Sequence, residues 1–226
     1  MSEIIKRPAN KIDYHKQLIK SLDLMRSTGM RPKLLLHVCC APCAAYPIQL
    51  LAKYFNIDVI FMNPNIYPID ELQKRHLALS QYLSRLYSSK RELARSVKIL
   101  NNFEEYNASF RKTYTDQTSR FADEPEGGKR CEACFRARLE AVFQMAKLNK
   151  YEYVMTTLTS SRHKDAELIN QIGLEIGERY PEVVYLASDF KKEDGELRSK
   201  EICEEYGVYR QDYCGCIYSL RRTLKN

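Results

Sequence analysis

Five short apolar runs punctuate this chain, with helix-length stretches between them, and that alternation restricts the fold more than any other feature. The runs are Leu34 to Val38, Ile57 to Met62, Val97 to Leu100, Tyr153 to Thr157 and Val183 to Ala187. Short runs that are apolar on successive residues suit strands buried on both faces. Strands separated by helices pair in parallel through right-handed crossovers, which predicts an α/β domain. The predicted helices are residues 11–28 (within an N-terminal helical segment, 1–30), Ala44 to Phe55, about Asp70 to Leu86, Cys131 to Lys147, 165–179 and 195–206. In the first, Tyr14, Leu18, Leu22 and Met25 recur at helical spacing, and Gly29 stands where a left-handed C-cap belongs. Pro47 fits the second only near its start, because proline lacks the N–H that a helix interior uses. Residues 101–130 are polar and read as an irregular, mobile insertion ending at the Gly127-Gly128 breaker; the segment after 206 reads as a Tyr- and Cys-rich tail. The whole, 1–226, reads as a single domain.

Apolar residues make up 44% of the chain and charged residues 29%, enough of the former for a core and no sign of a disordered or collagen-like composition. The opening MSEIIKRPANKIDYHK has no apolar stretch or cleavage site of a secretory signal, and no run approaches the roughly 18 apolar residues of a membrane span. The expectation is a cytoplasmic protein without membrane association. The net charge of +7, from 36 Lys and Arg against 29 Asp and Glu, favours polyanionic partners such as nucleic acid, and fits an ordinary basic surface equally well.

Eight cysteines carry the chemistry. A reducing compartment keeps isolated cysteines as thiols, so closely spaced ones point to metal or redox work. Seven fall into three clusters: Cys39, Cys40 and Cys43; Cys131 and Cys134; Cys214 and Cys216. Cys131 and Cys134, three apart, can face one way from a first helical turn, where the helix end favours thiolates. In open parallel sheets ligands bind beyond the carboxyl ends of the strands. Cys39 and Cys40 follow the first apolar run and Asp189 and Phe190 the fifth, which predicts a metal site at that edge. A structural zinc site favours paired CxxC ligands, and the CC and CxC pairs here are unusual for a zinc ribbon; a thioredoxin-like dithiol leaves two clusters unexplained. An iron–sulfur cluster uses about four ligands, so seven thiols leave a surplus for a second metal or for catalysis. Cys203 stands alone and reads as core.

Taken in order, HVCCAPC, CEACF, SDFKK and QDYCGC resemble the epoxyqueuosine reductase family of the QueH type, a resemblance that spans about residues 33–222. It implies a HUP-like catalytic domain there, a five-stranded parallel sheet flanked by helices, in which the loop after the first strand cradles metal where relatives cradle phosphate. It implies reduction of the epoxide of epoxyqueuosine at the wobble position of tRNA, with a [4Fe–4S] cluster near a second, mononuclear iron and with an external electron donor. The ligands it implies are Cys39, Cys40, Cys131, Cys134, Cys214 and Cys216, with Asp189 as a candidate oxygen ligand. Cys43 is left out because the family tolerates other residues there.

Asp189, Tyr213 and His163 are candidate catalytic proton donors by motif position. Arg162, Lys164, Lys191 and Lys192 are candidate contacts to substrate phosphates, and Arg221 and Arg222 to the tRNA backbone. His37, on a buried strand, reads as a packed core histidine. Two other classes stay open: a zinc-stabilised RNA-binding module without catalysis, and a thiol oxidoreductase.

Overall fold

The computed structural model describes residues 12–223. Its centre is a five-stranded, all-parallel sheet of β1 (Lys33–His37), β2 (Asn56–Ile60), β3 (Val97–Ile99), β4 (Tyr153–Thr156) and β5 (Val184–Tyr185), in the order β3-β2-β1-β4-β5. All five apolar runs became strands. Alternate residues of the central strand feed two cores: Leu34 and Leu36 belong to one, and Leu35 to the other. The first core is closed by α1 (Tyr14–Thr28), α2 (Ala41–Leu51), α3 (Ile69–Ser89) and α8 (Gly195–Glu205), and the second by α6 (Lys129–Leu148) and α7 (Ala166–Gly177). The result is a three-layer sandwich, the arrangement that a sheet apolar on both faces requires. A short helix, α4 (Arg91–Ala94), leads into β3.

Local chemistry explains the helix limits. The Asp13 carboxylate accepts from the Lys16 amide at 3.0 Å and opens α1; Gly29, at φ 68°, closes it by donating to the Arg26 carbonyl. Residue 11 of the predicted first helix lies outside the described residues. The second helix starts three residues earlier than expected, at Ala41, because extended Cys40 caps it and Pro42 suits a first turn. Pro47 consequently sits inside it, fully packed, a position the sequence argued against.

The reading of 101–130 as irregular is corrected. Phe103–Thr118 forms α5, followed by a 3₁₀ turn at Ser119–Phe121, and α5 lies along α6. Its few apolar residues hid it, yet it is anchored by buried Asn107, whose Nδ2 donates to the Phe61 carbonyl at 3.0 Å just beyond β2. The tail also carries a helix, α9 (Ile217–Thr223), that the sequence did not suggest. Among the described residues no helix is long and apolar enough to cross a membrane.

Gly195 shows how tightly the edge of the sheet is built. A Cβ there would overlap the Phe190 carbonyl oxygen, and the intervening turn already holds Glu193 and Asp194 in left-handed backbone, at φ 50° and 61°. Because the obstacle is backbone, Gly195→Ala is expected to destabilise the fold by about 2–4 kcal/mol. A urea midpoint within experimental error of wild type would contradict this.

Candidate metal centre

In the strand order β3-β2-β1-β4-β5 the crossovers leave β1 and β4 in opposite directions, which opens a crevice beyond their carboxyl ends. The cysteines converge there. Cys39 and Cys40 leave β1, and Cys43 occupies the first turn of α2; the three Sγ atoms all lie within 4.8 Å of one another. The Cys39 amide donates to Thr157 Oγ1 at 3.4 Å, which ties the β1 loop to the β4 loop. Cys39 Sγ and Cys40 Sγ are 3.7 Å apart, and Gln211 Nε2 donates to Cys40 Sγ at 3.0 Å. Hydrogen bonds from the Cys40 and Cys43 thiols hold the Cys39 pKa well below the usual thiol range. The same sharing, with burial, lifts Cys40 to about 12 and Cys43 well above its ordinary value. Three sulfurs this close, with the shared hydrogen bonds favouring charge on Cys39, form a group that could hold a metal ion.

Four more cysteines line an adjoining hollow: Cys131 and Cys134 from the start of α6, Cys214 and Cys216 from the loop before α9. The Gly127 amide donates to Cys131 Sγ at 3.2 Å and the Ser219 amide to Cys216 Sγ at 3.4 Å. Burial pushes Cys134 up to about 11 and raises Cys131 and Cys216, so metal binding here must displace protons. Cys214, His163 and Lys164 line both hollows and form their common wall. Burial alone would lower the Lys164 pKa; negative charge on the neighbouring cysteines, Cys214 and Cys39 foremost, outweighs it and raises it.

Arg138, only 2% exposed, enters the second hollow from α6. Its Nη2 donates to Asn63 Oδ1, while its Nε has no partner among the described residues. Its charge adds to the lowering of Cys39 by the neighbouring thiols and partly offsets the burial that raises Cys134. A buried cation with a spare donor fits an anionic, thiolate-ligated group and would be costly without one.

Residues 34–222 match the family described as epoxyqueuosine reductase QueH. The chain belongs to this family. Among its QueH relatives, the protein of Staphylococcus epidermidis is 40% identical over 217 residues, covering 96% of this chain and 88% of that protein. Those of Streptococcus pyogenes serotype M1 and Thermotoga maritima are 37% and 34% identical, over 95% and 82% of this chain and 80% and 89% of theirs. All three carry the name epoxyqueuosine reductase QueH.

In this QueH chain the six cysteines expected as ligands all reach the crevice, and Cys43, which the sequence reading left out, joins Cys39 and Cys40. Cys203 is buried in the first core, where burial raises it to about 11. His37 is fully buried between Thr156 Oγ1, at 2.8 Å, and the Met62 carbonyl, at 3.0 Å; burial holds it near pKa 3, so it stays neutral. Tyr213 lines the first hollow and donates its hydroxyl to the Tyr67 carbonyl at 2.6 Å.

His163 is exposed at the rim of both hollows. Asp189 is not brought to the cysteines: it pairs with Lys191 Nζ at 2.9 Å and lines a separate hollow with Lys192. Arg162 and Lys191 border an open groove that starts at Cys43 and also holds Lys200 and Arg210. Arg221 is exposed on α9, and the side chain of Arg222 lies outside the described residues.

The sequence reading missed Tyr114, Arg130 and Arg138 around the second hollow. Tyr114 and Arg130 belong to the stretch dismissed as an insertion, whereas Arg138 follows CEACF by one helical turn and was detectable from that spacing.

Proposed function

We propose that this chain reduces the epoxide of epoxyqueuosine in tRNA, a substrate that places the enzyme in the cytoplasm. The observation that carries the reading is the convergence of seven thiols, in two abutting groups with a shared wall, at the one sheet edge where the fold binds ligands. Four thiols around one hollow fit a [4Fe–4S] cluster, so Cys131, Cys134, Cys214 and Cys216 would hold it. Three thiols within 4.8 Å fit a single iron with a coordination position left over, so Cys39, Cys40 and Cys43 would hold that. When bound, such centres supply electrons singly and a Lewis acid for an oxygen atom.

Opening the epoxide to the alkene consumes two electrons and two protons and releases the oxygen as water. The chain's own residues serve the protons and the pose. Arg162 Nε donates to His163 Nε2 at 3.3 Å, which leaves Nδ1 to carry a proton at the rim. Lys164, held charged in the common wall, favours oxyanion character next to the thiols. Arg162, Lys191, Lys200 and Arg210 around the groove suit the phosphates flanking a flipped-out nucleoside. Burial raises Tyr213 to about 12, and its hydroxyl donates a hydrogen bond to the Tyr67 carbonyl, a contact that positions the loop. Asp189, paired with Lys191, holds that lysine at the groove.

The test is anaerobic purification with iron and sulfide analysis, then one turnover of epoxyqueuosine-bearing tRNA with a chemical reductant. Iron, sulfide and conversion are expected. Zinc in place of iron, with no conversion, would leave an RNA-binding module and end this reading.

A further inference from the structure

The cysteines of the second hollow come from two sources of unequal rigidity. Cys131 and Cys134 stand on α6, a helix of 20 residues, while Cys214 and Cys216 stand on a loop followed by a helix of 7. Something must hold that loop, and one side chain stands out. Arg75, on α3, is 2% exposed. Its Nη2 donates to the Tyr213 carbonyl and its Nη1 to the Cys214 carbonyl, both at 3.1 Å. The next carbonyl, of Gly215, accepts from the Tyr67 amide at 2.8 Å.

Three consecutive carbonyls are therefore fixed, which fixes the backbone and with it the directions of the Cys214 and Cys216 side chains. The guanidinium lies over the Tyr213 ring at 4.9 Å, and its Nε is held by Glu71 Oε1 at 2.6 Å. Glu71 in turn accepts from the Tyr209 hydroxyl at 3.3 and 3.4 Å. Gly215, at φ 115°, lets the arginine approach: a Cβ there would stand 2.9 Å from Nη1.

We propose that Arg75, oriented by Glu71, is a positioning residue that sets the Cys214–Cys216 loop in its ligating form before any metal arrives. A buried cation is an expensive way to support a loop, since a neutral donor would spare its desolvation. Its charge has a use here because Arg75 also lines the hollow of Cys39, Cys40 and Cys43. A guanidinium can serve two carbonyls and a carboxylate at once, which an ammonium on a single stem cannot. The proposal rests on the assignment of Cys214 and Cys216 as ligands, and its test does not need the reaction.

Metal-free protein is treated with iodoacetamide, and each cysteine's alkylation rate is followed by peptide mass spectrometry for wild type, Glu71→Gln, Arg75→Gln and Arg75→Lys. Cys214 and Cys216 are expected to react about tenfold faster in all three variants, the scale of losing a hydrogen bond to a charged group, with Cys131 and Cys134 unchanged. Iron and sulfide uptake should fall in parallel. Wild-type rates at Cys214 and Cys216 in both Gln variants would overturn the proposal. A rise at every cysteine would signal unfolding, and Tyr209→Phe, which removes only the outer hydrogen bond, then decides: a selective rise upholds the proposal and no change defeats it. Selective exposure in the variants, with no iron uptake by wild type, would keep the clamp and remove the iron assignment.

Discussion

Cys134→Ala is expected to lose both the broad visible absorption of thiolate-bound iron and the acid-labile sulfide, together with roughly 100-fold or more of the activity. Changes beyond the ligands alone already cost about 10–100-fold in metal sites. Cys43→Ala is expected to lose activity to a similar degree while keeping wild-type sulfide, because Cys43 belongs to the other group of thiols. The two variants together read out the partition into two hollows. Sulfide lost in Cys43→Ala and kept in Cys134→Ala would reverse it. Both variants are expected to fold, since each removes only one small side chain, Cys43 from the margin of the second core and Cys134 from a hollow.

The second large effect is expected from Arg138→Met. The change keeps an unbranched apolar stem, though a shorter one, but removes a buried charge that acts on Cys39 and Cys134 and the donor to Asn63 Oδ1. Removing one member of a buried charge system costs about 3–5 kcal/mol, so the iron-loaded protein should unfold at markedly lower denaturant under anaerobic conditions. The midpoint potential should move in the negative direction, because a nearby cation favours the reduced, more negative centre. Stability and potential both unchanged would mean that Arg138 is a spacer and its unpartnered Nε is without consequence.

Much of the layout was legible beforehand for a plain reason. Strands buried on both faces must be largely apolar on successive residues, and Leu34 to Val38 and Ile57 to Met62, interrupted only by His37 and Asp58, show this without any knowledge of their neighbours. The cysteine clusters were equally legible because thiols in twos and threes are rare. The same logic failed for α5. Its residues are more polar than apolar; Phe103, Tyr106 and Phe110 recur at helical spacing and pack against the cores, but the buried anchor is Asn107, whose hydrogen bond to a distant carbonyl adds nothing to a hydrophobic pattern. With α5 went Tyr114, one wall of the second hollow. Asp189 misled in the opposite sense. Its place after the fifth run put it at the correct edge of the sheet, but β5 is the outer strand, one position beyond the crevice between β1 and β4, and Lys191 claims the carboxylate.

Cys43 and Arg75 mark the division between the two kinds of information. Sequence alone determined that this chain builds a parallel α/β sheet and brings thiols to its carboxyl edge, since the hydrophobic pattern and the place of Cys39 and Cys40 after their strand are local along the chain, whereas the pairing of β1 with β4 is not. Which thiols share a centre is a question of distance between Cys39, Cys43, Cys134 and Cys216, and those distances depend on how α2, α6 and the last loop pack. Arg75 lies about 140 residues from the loop it holds, and a hydrogen bond across that separation is invisible to any local pattern. Only the tertiary structure decided that seven cysteines divide into three and four, and that a buried arginine sets the position of two of them.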